Sequence, residues 1–133
     1  TQEKLHEVIT NKVKELKEKD YKTIAIICKS EAESIDAYSK LRHIDGIKLV
    51  KSGSMEYEQG IVIIPAYLAK GIEFDAVIIY DASKVVYGSE NLRRLFYTAC
   101  TRAMHELLLL SNGEPTNFLR KISEQCLFLQ EEY

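Results

Sequence analysis

The chain has 133 residues and a formal charge of −2, from 18 Lys plus Arg against 20 Asp plus Glu. With 46% hydrophobic residues, 29% charged residues and two prolines, it reads as one ordinary folded domain. A disordered, collagenous or disulfide-built chain is excluded. The balance of charge excludes a globally basic nucleic-acid binder, and no apolar run approaches the ~20 residues of a membrane span.

Cys28, Cys100 and Cys126 are widely spaced and odd in number, which argues against a disulfide framework or a CxxC zinc site and fits a reducing cytoplasm. His6, His43 and His105 lack ligand spacing and are expected as surface or capping residues, so no metal site is expected. The chain begins with Thr rather than Met. We therefore expect a piece of a longer protein.

In chain order, residues 2–19 predict a helix. Leu5, Val8, Ile9, Val13 and Leu16 recur at helical spacing, and Lys12, Lys14, Lys17 and Lys19 lie among glutamates on a face expected to be solvated. Residues 23–28 (TIAIIC) predict a strand. Ser30 followed by Glu33 is a capping box, so a second helix should start at Ser30. Residues 47–50 predict a short strand, and 51–60 a polar loop. The apolar runs 61–64, 74–80 and 105–111 do not alternate, which is the habit of parallel strands buried on both faces. A turn or short helix is expected over 65–72, a loop over 81–88 and a helix from about 89 to 103. Pro115 suits the start of a last helix, with Phe118, Leu119, Ile122, Cys126 and Leu129 facing inward. Helices alternating with buried strands predict one α/β domain over 1–133, an open, mostly parallel sheet flanked by helices in three layers.

Ligands of open α/β sheets bind beyond the carboxyl ends of the strands. Three stretches are candidates: Cys28-Lys29-Ser30, the connection from Pro65 to Phe74, and the helix over 89–103. In the last, Leu92, Leu95, Phe96, Ala99, Cys100 and Ala103 form a buried stripe, while Arg94, Thr98, Thr101 and Arg102 share another arc. Three arginines, Arg93, Arg94 and Arg102, offer planar forks suited to phosphate or carboxylate oxygens, so phosphate binding and structural salt bridges are both open, with Asp75 and Asp81 as candidate partners of Arg93 or Arg94. No G-x-x-x-x-G-K-[ST] loop and no evident acidic magnesium pair occur, so the chain reads as half of a nucleotide site. A receiver-like signalling domain would need acids after the first strand, where Cys28-Lys29-Ser30 stands instead.

Residues 69–75, AKGIEFD, resemble motif V of the UvrD/Rep-type superfamily 1 helicases, where AKGLEF is characteristic. Residues 93–103, RRLFYTACTRA, resemble motif VI, usually RRLxYVAxTRA. The two occur in the family's order with an apolar strand between them, and residues 24–34, IAIICKSEAES, resemble motif IV more loosely. The resemblance covers about residues 22–112 and implies a second, C-terminal RecA-like lobe.

It further implies that ATP and Mg2+ are held mainly by a first lobe carrying the Walker A loop. Arg102 would be the catalytic arginine finger to the γ-phosphate. Glu73 would contact the nucleotide near the ribose, Gly71 would let its loop close, and Lys29 would stand where motif IV has a phosphate-binding arginine. DNA is the implied partner, with Lys70 and Tyr67 as candidate contacts, and the isolated lobe is expected to be inactive. Three departures stand out. Cys28 replaces an adenine-stacking Tyr, Lys29 replaces the arginine, and Pro65-Ala66-Tyr67 replaces the T-x-H before AKG. These look like the HelD-type branch, whose members act on RNA polymerase and hydrolyse ATP. The corresponding alternative is a catalytically degenerate interaction lobe.

Overall fold

The computed structural model describes residues 2–51, 60–112, 116 and 126–131. Among the described residues, six strands form one sheet: β1 (Thr23–Cys28), β2 (Ile47–Leu49), β3 (Gly60–Pro65), β4 (Phe74–Ile79), β5 (Ala103–Asn112) and β6 (Cys126–Glu131). Their order is β2-β3-β1-β4-β5-β6, and every neighbouring pair is parallel. The helices are α1 (Gln2–Glu18), α2 (Glu31–Leu41), α3 (Lys84–Tyr87) and α4 (Arg93–Cys100), with single 3-10 turns at Ala66–Leu68 and Glu90–Leu92.

The unbroken apolar runs follow from two cores, one on each face. Successive side chains on a strand point to opposite faces. Ile24, Ile26 and Cys28 of β1 join Ile61, Ile63, Ala76 and Ile78 in the core beneath α1 and α2. Ala25 and Ile27 join Val62, Ile64, Val77 and Ile79 in the other core, with Tyr87, Phe96 and Ala99 from α3 and α4. The layering is therefore helices, sheet, helices. On α1 the stripe Leu5, Ile9, Val13 and Leu16 is buried to 2% exposure or less. Helix α2 starts at the expected cap: Ser30 Oγ accepts from Glu33 N at 3.1 Å, while Glu33 Oε1 accepts from Lys29 N, one residue before the cap, at 2.9 Å.

Several expectations are corrected. Residues 126–131, expected in a last helix, are strand β6 in register with β5 from Leu107↔Cys126 to Asn112↔Glu131. Most of that expected helix lies outside the described residues, as does most of the loop expected over 51–60. The helix expected over 89–103 is a 3-10 turn followed by eight residues of α4, and Ala103 already pairs with Phe74 as strand. Helix α3 occupies the expected loop, capped by Ser83 Oγ accepting from Val86 N. His6 is buried rather than exposed, and its Nε2 hydrogen-bonds the Tyr80 hydroxyl. Burial is the first cause that holds its imidazole below the ordinary histidine value, with the Lys40 charge second.

Nor is the lysine face of α1 simply solvated. Lys12 and Lys19 both reach Glu106 Oε1 on β5, at 3.4 and 3.0 Å.

Candidate functional site

Between β3 and β4 the chain has only residues 66–73 to return from one end of the parallel sheet to the other. Ala66 and Ala69 are fully buried, small enough to lie in the core beneath this segment. The segment then reverses at Ala69-Lys70-Gly71-Ile72, where Ile72 N donates to Ala69 O at 3.0 Å. Gly71 has φ +84° while Lys70 keeps a negative φ, which is the pattern of a type II turn. Nothing stands within 4 Å of where a Gly71 Cβ would be, so the dihedral angle and not space requires glycine here. Lys70, Gly71 and Glu73 are exposed.

Helix α4 runs from the carboxyl end of β4 back to the amino end of β5. Phe96, Ala99 and Cys100 anchor it in the core. Phe74 N donates to Arg102 O at 2.8 Å, so the residue after Glu73 is bonded to the backbone of Arg102. Glu73, Gly71 and Arg102 thus gather at the amino-end rim of β4 and β5. Glu73 and Arg102 are not ion-paired with one another.

Arg102 itself is half-buried. Its Nε donates to Thr98 O at 3.1 Å and its Nη2 to Thr101 Oγ1 at 3.1 Å. Thr101 Oγ1 in turn donates to Thr98 O at 2.9 Å. Among the described residues no carboxylate pairs with Arg102. Asp75 and Asp81, expected as partners of Arg93 or Arg94, bond elsewhere. Asp75 Oδ2 accepts from Lys22 N and Thr23 N at 2.8 and 3.2 Å, beside a shift in the β4–β5 register at Phe74/Ala76. Asp81 Oδ1 accepts from Ser83 N, and Arg93 pairs with Glu90 at 3.0 Å. Arg93, Arg94, Tyr97, Thr98 and Thr101 line a shallow pocket of about 340 Å³ on the outer face of α4.

Lys29 is not brought to this rim. It follows the carboxyl end of β1, where Cys28 is level with Pro65 and Tyr80 N donates to Ile27 O at 3.0 Å. The six residues of β4 separate the two rims, about 20 Å at ~3.3 Å per residue. Lys29 and Arg102 therefore stand at opposite ends of the strands. The carboxyl-end rim instead gathers Lys29 with Tyr67, which is 47% exposed and whose hydroxyl lies 3.5 Å from Glu31 Oε2. Burial raises the Glu33 carboxyl above its ordinary value despite the hydrogen bond from Lys29 N, and burial also pushes the Cys28 thiol up. Among the described residues no group of three His, Cys, Asp or Glu side chains could hold a metal ion, and no helix is long and apolar enough to cross a membrane.

Residues 60–110 match the family model described as UvrD-like helicase C-terminal domain. The span begins with β3 and takes in both rims of β4 and the whole of α4. None of the curated proteins compared with the chain matches it. The solved C-terminal domain of a possible DNA helicase from Lactobacillus plantarum WCFS1 is 30% identical, with a TM-score of 0.79 over 93% of this chain and 77% of that one. The chain belongs to the UvrD-like helicase C-terminal domain family. Its α/β fold is that of a UvrD/Rep-type C-terminal lobe, and the protein that carries this UvrD-like lobe is helicase-like.

Proposed function

We propose that this lobe completes an ATP site held on a first RecA-like lobe and presents Arg102 to the γ-phosphate. The observation that carries the reading is the state of that guanidinium. It is half-buried, held by a carbonyl and a hydroxyl, and unpaired with any carboxylate among the described residues. A structural arginine in a protein with 20 acidic residues would normally sit on one of them. Phosphoryl transfer is catalysed by positioning and by fixed positive charge where negative charge develops. Glu73, one residue before the Phe74–Arg102 hydrogen bond, would contact the nucleotide near the ribose, and the Gly71 turn sets the course of that loop. Lys29 stands outside this phosphate site.

The donors of Arg102 fit an anion. Nothing described on this lobe fits a metal ion, so we assign Mg2+ to the first lobe together with most of the ATP contacts. ATP bound by both lobes favours their closed pairing, and hydrolysis releases it. The chain alone would then have no ATPase activity.

The relative's description as a possible DNA helicase supports DNA as the polymer moved. Exposed Tyr67 can stack on a base, with Lys29 and Lys70 as candidate phosphate contacts. The free, buried thiols of Cys28 and Cys100 fit a cytoplasmic protein. The test is Arg102→Ala in the full-length protein. Nucleotide binding should stay within a few-fold while turnover falls by ~10³ or more. Unchanged turnover would leave the lobe an interaction element without a catalytic part.

A further inference from the structure

The arginine is not left to find its own position. Three hydrogen bonds join Thr98 O, Thr101 Oγ1 and the Arg102 guanidinium into a closed ring. The Thr101 hydroxyl has one proton. It spends that proton on Thr98 O, so its lone pairs are turned toward Arg102 Nη2. This leaves both hydrogens of Nη1 and the second hydrogen of Nη2 for an incoming anion.

The ring lies at the last turn of α4, whose core residues Phe96 and Ala99 are fully buried and fix the turn in place. Thr101 is itself exposed. Its side chain therefore has little packing to contribute, and its hydroxyl has no visible task but the ring.

We propose that Thr101 is a positioning residue that pre-orders the Arg102 guanidinium for an anionic phosphate. The proposal rests on the reading of Arg102 given above. A long arginine side chain must otherwise give up rotamer freedom when it meets the phosphate. A ring formed beforehand removes that cost from the step in which charge develops.

The experiment compares steady-state ATPase of the full-length protein with Thr101→Val, Thr101→Ser, Arg102→Ala and the double variant Thr101→Val/Arg102→Ala. Valine keeps the shape of threonine and removes only the hydroxyl. Thr101→Val should lower kcat about ten-fold with little change in KM for ATP, the loss of one hydrogen bond to a charged group. Thr101→Ser should restore most of the rate, because it returns the hydroxyl. The double variant should be no slower than Arg102→Ala alone, because without the guanidinium the hydroxyl has nothing to hold.

A normal kcat in Thr101→Val, equal losses in Val and Ser, or additive losses in the double variant would overturn the positioning role. If Arg102→Ala alone is fully active, the finger reading falls and the ring falls with it. If Arg102→Ala is inactive and Thr101→Val is normal, only the ring is refuted.

Discussion

At Gly71 a single dihedral angle decides what the chain tolerates. The φ of +84° is open to glycine at little cost, whereas an L side chain there is strained. Gly71→Ala should therefore lower the stability of the lobe by about 1 kcal/mol, read as a fall in the urea midpoint at unchanged slope. An unchanged midpoint would mean that the turn relaxes to another type. The identities of Gly71, Glu73 and Arg102 were legible because they sit inside two recognisable motifs. Their meeting at one rim was not, because it depends on the Phe74–Arg102 hydrogen bond between segments about 30 residues apart. Lys29 shows the converse. The loose resemblance to motif IV implied a phosphate ligand there, and the strand register tells which end of the sheet it occupies.

Among the elements, α1 shows how a charged face becomes structural. Lys12, with its side chain 10% exposed, and Lys19 converge on Glu106, with its side chain 15% exposed. Burial alone would raise the Glu106 carboxyl. The hydrogen bond from Lys19 and the charge of Lys12 outweigh it and hold the group below its ordinary value. A carboxyl lowered on folding contributes stability above its unfolded pKa and loses it as pH falls through the folded value. Glu106→Gln should then lower stability modestly near neutral pH, by less than a buried pair would because solvent screens the exposed Lys19. The gap from the parent protein should close between about pH 6 and about pH 3 in urea titrations. A gap that persists in acid would contradict the clamp. From the sequence this face read as solvated because β5 lies some 90 residues away from it. The end of α4 and strand β6 escaped for a related reason. Apolar spacing continues through Ala103, and a run such as CLFLQE suits either a buried helix or a strand. The pairings with Phe74 and with β5 decide both.

For the whole molecule, the two-core parallel sheet was legible in outline, since runs such as IVII and AVIIYD leave no face for water. The sequence did not reveal that the candidate residues divide between the two rims of the sheet. Arg102, Glu73 and Gly71 occupy one, and Lys29 and Tyr67 the other. Under the proposed reading ATP meets the first rim, while Tyr67 and Lys29 on the second are candidate nucleic-acid contacts together with Lys70 beside Gly71. The most direct test is a structure of the full-length protein with a non-hydrolysable ATP analogue. The account predicts the Arg102 guanidinium within hydrogen-bonding distance of the γ-phosphate, still bonded to Thr98 O and Thr101 Oγ1, with Lys29 on the far rim. A closed, nucleotide-bound structure in which Arg102 faces solvent or a carboxylate while Lys29 holds the phosphate would contradict it.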